Sequence, residues 1–163
     1  QWRPMLLGGV FKATGNQSPA MIPAKGAYMI ADLGRYAEKY GVAMKFNPHF
    51  PVNTLMLMRG AVAYQSGDRF HQYLSAIFTA LWVDEKNLNE PEVVAEVLNS
   101  AGFDADEFMQ LCGSEAVKSE LKANTEEAVE RGVFGAPSVF VDGELFFGQD
   151  RLEFVEAALR AKS

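Results

Sequence analysis

An α/β domain whose middle is wholly helical is what this sequence predicts, and three observations predict it. Near the C-terminus, residues 138–141 and 144–147 are apolar runs separated by Asp142-Gly143, the dipeptide that two-residue hairpins favour. At the other end, residues 2–7 have the composition of a strand that runs into glycines. Between these ends, from about residue 24 to residue 131, apolar residues recur at helical spacing, with no internal repeat and no low-complexity segment.

In chain order, the strand at residues 2–7 leads into a glycine-rich loop. Helical spacing then runs to Tyr40 through Tyr28, Ile30, Leu33, Tyr36 and Ala37; Gly26 and Gly34 weaken it and Gly41 ends it. A short extended stretch at residues 44–46 precedes the turn PHFPVN, whose Asn53 is placed to cap the next helix. Residues 54–65 and 68–83 predict an antiparallel helical pair joined at Ser66-Gly67. Pro91, in a tolerated first-turn position, opens a further helix to Ala101. Asp104 starts a short helix that ends at Gly113, and Ser114 starts a longer one that ends at Gly132.

Pro137 fixes its own φ and pushes Ala136 toward extended geometry, which leaves the Ala136 backbone free to pair with something else. The bond between them is a candidate for the cis form. Gly148 breaks the second strand of the hairpin. Helical spacing then resumes at Leu152, Phe154, Val155, Ala158 and Leu159, with Asp150 placed to cap free amides. Proline loop, hairpin and acid-led helix start form one unit, and that combination points to a ligand site.

At 163 residues with 48% hydrophobic content, the chain suits one domain with a sizeable core. A net charge of -6 without any basic run argues against binding nucleic acid through its phosphates. No apolar run reaches the roughly 18 residues needed to span a bilayer, and no signal-like segment is present, so no membrane is expected and the reading is cytoplasmic. Cys112 is the single cysteine, which excludes a disulfide framework or a CxxC pair within this sequence; near the end of a short helix it is expected to be buried and inert. His49 and His71 are too far apart for a typical zinc pattern and are read as structural, so no metal is expected. Met56 and Met58 are read as core, and the acidic stretch at residues 126–130 as a solvated helix face.

Two segments carry a resemblance. The runs FGAPSVFV and GELFFGQDRL, within residues 134–152, and GGVFKATGNQSPAMIPAKGAYM, residues 8–29, are similar to kappa-class glutathione transferases and bacterial 2-hydroxychromene-2-carboxylate isomerases of the DsbA-like thioredoxin superfamily. The resemblance implies one thioredoxin-like domain over residues 1–163, with an all-helical insertion at approximately 24–131. In that frame residues 2–7 are the second strand of the sheet. The first strand and helix would lie upstream of Gln1, with a catalytic serine at the helix start. Ser18-Pro19 falls in a different segment and is a decoy for that serine.

The resemblance further implies a glutathione-dependent isomerase of aromatic catabolism, a homodimer that uses thiolate addition and elimination on a small conjugated aromatic carboxylate. Carried onto this sequence, Ala136 followed by Pro137 pairs its backbone with the cysteinyl part of glutathione. Asp150, beside Arg151, meets the γ-glutamyl ammonium, and free amides at the helix start suit a carboxylate. Phe147 and Gln149 line the approach, Asn16 lies near the sulfur, and Lys25 reaches the glycyl end. Lys12, Phe50 and Asn53 are candidates for the second substrate. A kappa-type transferase or peroxidase, a DsbA-like thiol-disulfide oxidoreductase and a non-catalytic thiol-peptide binding module stay open as alternatives.

Overall fold

The computed structural model describes residues 1–161. Helices α1 (Leu7–Thr14) and α2 (Pro23–Tyr40) flank a 3-10 turn at Pro19–Met21. Then follow α3 (Leu55–Tyr64), α4 (Phe70–Trp82), α5 (Pro91–Ser100), α6 (Ala105–Gly113) and α7 (Glu115–Glu130). The hairpin β1 (Ser138–Val141) and β2 (Glu144–Phe147), a 3-10 turn at Gln149–Arg151 and α8 (Leu152–Arg160) complete the order. The chain forms two compact units, one of residues 1–6 with 41–124 and the other of residues 7–40 with 125 onward, the boundary falling within α7. Among the described residues no helix is long and apolar enough to cross a membrane.

The unit of residues 41–124 is built from α3 to α6 around one apolar cluster that includes Leu57, Phe70, Tyr73, Leu98, Phe103 and Phe108. On α4 the buried residues Phe70, Tyr73, Ile77, Ala80 and Leu81 follow one helical stripe, which is why this face turns inward. Gly60 on α3 is where helices close up: a Cβ there would lie 2.4 Å from the ring of Phe108 and 2.4 Å from the Tyr73 hydroxyl. That hydroxyl donates to the Leu57 carbonyl at 2.7 Å, so the buried phenol is satisfied, and burial pushes its pKa up. Asn47, fully buried, fastens the extended segment before α3. Its amide donates to the Leu81 and Lys86 carbonyls, both at 2.8 Å, and its oxygen accepts from the His49 amide.

The start signals in this unit act as the sequence predicts. Asp104 accepts from the amides of Asp106 and Glu107, and Pro91 occupies the first turn of α5. Asn53 accepts from the Leu55 amide at 3.1 Å, one residue before the formal cap position Thr54. Cys112 is buried, and desolvation pushes its thiol up to about 11.

The N-terminal expectation is corrected. Residues 2–7 do not form a strand: residues 1–6 are irregular, and Leu7 already begins α1. No strand among the described residues pairs with them, and Pro4 lacks an amide for a ladder. The segment that follows is likewise no open loop, because Leu7, Val10, Phe11 and Thr14 stand at the i, i+3, i+4, i+7 spacing of a helix and Val10 is fully buried. Gly8 and Gly9 weaken that helix without abolishing it.

In the other unit, the hairpin is the one read from Asp142-Gly143. Val141 pairs with Glu144 across a two-residue loop whose φ values, +47° and +88°, are both left-handed. The Ala136-Pro137 bond is cis, and so is Phe50-Pro51 in the first unit. Helix α2 buries only Gly26 of its 18 residues, and that glycine lies against Ala20 of the preceding turn, where a Cβ would make an ordinary contact at 3.4 Å.

Candidate functional site

The hairpin register decides what the backbone before it can do. In an antiparallel pair, successive residues turn their amide and carbonyl groups alternately toward the partner strand and away from it. The Pro137 carbonyl accepts from the Gly148 amide at 3.0 Å, so it extends the β1–β2 ladder by one rung. Ala136 precedes this rung across the cis Ala136-Pro137 bond. It is exposed, and its backbone has no hydrogen-bond partner among the described residues. An extended ligand backbone can pair there as one more strand segment.

Two aromatic rings and an asparagine frame this loop. Phe147, the last residue of β2, packs on Phe134 with ring centroids 4.6 Å apart. Gly135 makes room for it, because a Cβ there would lie 2.7 Å from the Phe147 ring. Asn16 reaches across from the turn after α1: its amide nitrogen donates to the Phe134 carbonyl at 2.8 Å, while its side-chain oxygen accepts from the Gln17 amide. The structure thus brings Asn16 against the loop that carries Ala136 and Pro137. Sequence reasoning missed Phe134 and Gly135, although both stand in the same FGAP run.

At the same open end of the hairpin, the capping role expected for Asp150 is corrected. The 3-10 turn at Gln149–Arg151 delays the helix, so α8 has Arg151 at its cap position with no side-chain cap bond. Asp150 then precedes the cap and does not reach the free amides. Its carboxylate pairs with the Arg151 guanidinium instead. Its other oxygen occupies space that Gly148 leaves open, since a Cβ on Gly148 would lie 2.5 Å from Asp150 Oδ1. Gly148 also holds φ at +104°, a conformation that favours glycine. Gln149 offers its backbone carbonyl to the Tyr40 hydroxyl at 3.0 Å.

Lys25 is exposed in the first turn of α2, about 22 Å along the helix axis from Tyr40. Neither Lys25 nor Lys12, which lies in the last turn of α1, has an anionic partner among the described residues. Both belong to a stretch of 31 residues at the start of the chain that contains no Asp or Glu, in a protein of net charge -6. Such a stretch attracts carboxylates. Phe50 and Asn53 belong to the other unit, where Phe50 packs on Phe46 and Trp82 and the Asn53 amide donates to Asn89. Ser18, the serine set aside as a decoy, caps the 3-10 turn through its hydroxyl and the Ala20 amide. His71 is engaged edge-on with Trp2 and Phe70.

Comparison with known proteins gives the family and the fold. A family model described as a DSBA-like thioredoxin domain matches residues 1–160. The 2-hydroxychromene-2-carboxylate isomerase of Sphingobium xenophagum is 34% identical over 98% of this chain and 82% of its own length. Glutathione S-transferase kappa 1 of Rattus norvegicus is 29% identical over 98% of this chain and 77% of its own. A solved structure of a 2-hydroxychromene-2-carboxylate isomerase superposes with a TM-score of 0.86 at 28% identity, over 99% of this chain and 79% of that one.

Proposed function

This chain belongs to the DsbA-like thioredoxin-domain family, and from that premise we propose that it is a glutathione-dependent isomerase acting on a small conjugated aromatic carboxylate. That it is an enzyme follows from relatives that are isomerases and glutathione transferases. The observation that carries the glutathione reading is the exposed backbone of Ala136, without a hydrogen-bond partner among the described residues, beside the cis Pro137, which suits the cysteinyl residue of an extended tripeptide. When bound, glutathione supplies a thiol that adds to the conjugated double bond and leaves again after the bond has turned, so it is regenerated.

The chain's own residues hold and orient. The Asp150 carboxylate takes the γ-glutamyl ammonium through the oxygen that faces Gly148, while Arg151 holds the other oxygen. The ammonium of Lys25 takes the glycyl carboxylate, and Lys12 the carboxylate of the second substrate. Asn16 keeps the FGAP loop in place through the Phe134 carbonyl, and Phe147 and Gln149 flank the approach. In this reading the enzyme works in the cytoplasm as a homodimer.

The test is an absorbance assay on 2-hydroxychromene-2-carboxylate with and without glutathione. Thiol-dependent isomerisation with glutathione recovered intact supports the proposal, and an equal rate without any thiol overturns it. The rat relative favours a second reading, a kappa-type transferase, and accumulation of a glutathione conjugate in the same assay would select it.

A further inference from the structure

Helix α2 is held at its C-terminal end by the turn that carries Asp150. Tyr40 OH donates to the Gln149 carbonyl at 3.0 Å across 109 positions of sequence, and the adjacent Lys39 pairs with Glu153 at 2.8 Å. The Lys39 ammonium also lies 5.7 Å from the ring centroids of both Tyr36 and Tyr40, and those rings pack on each other at 5.8 Å. The Tyr40 ring is thus set between its own helix and the turn. This contact is conspicuous on a helix that buries one residue of 18, because burial does little to fix where α2 lies.

The bonded atom is the carbonyl immediately before Asp150. Gly148, on its other side, has left-handed φ and offers no side chain to stiffen the turn. Fixing the Gln149 carbonyl fixes the peptide plane that enters Asp150, and with it the direction in which the carboxylate points. We infer that Tyr40 is a positioning residue for the Asp150 carboxylate, acting through the Gln149 carbonyl. The inference rests on the reading of Asp150 as the acceptor of the γ-glutamyl ammonium. Tyr40 touches no ligand in this scheme, and its effect is confined to the part of the ligand that Asp150 meets.

Calorimetry with two ligands tests this: glutathione, and glutaryl-cysteinyl-glycine, which keeps the tripeptide frame but lacks the ammonium. The wild-type protein should bind glutathione more tightly than the glutaryl analogue. Tyr40→Phe, which keeps the ring and removes the donor, should weaken glutathione about three- to tenfold and leave the analogue's Kd unchanged. Equal weakening of both ligands, or no weakening of either, would overturn the positioning role alone. If the wild-type protein does not distinguish the two ligands, or binds neither, the Asp150 reading fails and the positioning role fails with it.

Discussion

Asp150 shows how one bond changes the meaning of a residue. As a helix cap it would contribute to folding, and its loss would lower the melting temperature. With its carboxylate on Arg151 and no cap bond to an α8 amide, it contributes little of that kind, since exposed ion pairs stabilise weakly. Asp150→Asn should therefore reduce glutathione affinity roughly tenfold or more while leaving the melting temperature nearly unchanged, as calorimetry and thermal melts can show. A lowered melting temperature with an unchanged Kd would make it a structural residue. The same scale separates the lone thiol from the site. Burial pushes Cys112 up to about 11, so at pH 8 about one molecule in a thousand carries the thiolate. Labelling by iodoacetamide at pH 8 should proceed only when the protein is unfolded, and fast labelling of the native protein would contradict that burial.

Helices and hairpins were legible to different degrees, for physical reasons. The hairpin announces itself because a left-handed pair of turn residues needs Asp-Gly or a near equivalent, and the middle helices because each carries its own start and stop residues. Helix α1 carries two glycines and no Ser, Thr, Asp or Asn before its first turn, so its composition masks its apolar spacing. Asn16 against Phe134 and Tyr40 against Gln149 join residues more than a hundred positions apart, and no local pattern encodes such contacts. Packing is specific at this scale as well. Gly60→Ala would drive a methyl into Phe108 and the Tyr73 hydroxyl, and overpacking of this kind costs about 1–3 kcal/mol, a fall of roughly 2–12 °C in melting temperature.

The tie between α2 and α8 adds a pH signature. Its hydrogen bond to Lys39 holds the Glu153 carboxyl below the usual range, so that contribution is present above about pH 4.3 and is lost as pH falls through the depressed value. Glu153 holds Lys39 above its usual value in turn, so the lysine's contribution is complete below about pH 10.4 and is lost as pH rises through the raised value. A melting-temperature difference between wild type and Glu153→Gln should thus be small at neutral pH in low salt, vanish in strong acid, and vanish in high salt. A difference that persists in strong acid would assign Glu153 some other partner.

For the molecule as a whole, the two units divide the work unequally. Every residue assigned to glutathione lies in residues 7–40 or 125 onward, whereas the apolar cluster around Tyr73 and Phe108 belongs to the helices of residues 41–124. The acid-free start of the chain also places Lys12 and Lys25 in the first of these, against the negative charge of the whole. Ligand binding that orders loops lowers their exchange with solvent, while the buried core of α3 to α6 is already protected and has less to gain. Hydrogen exchange with and without glutathione should therefore show new protection at Asn16, across the Phe134 to Pro137 loop and over the Gln149–Arg151 turn, with little change in α3 to α6. S-methyl glutathione should produce the same pattern without supporting isomerisation, because the assigned groups meet the two ends and the backbone of the tripeptide, whereas turnover needs the free thiol. Protection that appears in α3 to α6 and spares the hairpin would place the tripeptide elsewhere in the molecule, and turnover with the methylated ligand would remove the thiol from the chemistry.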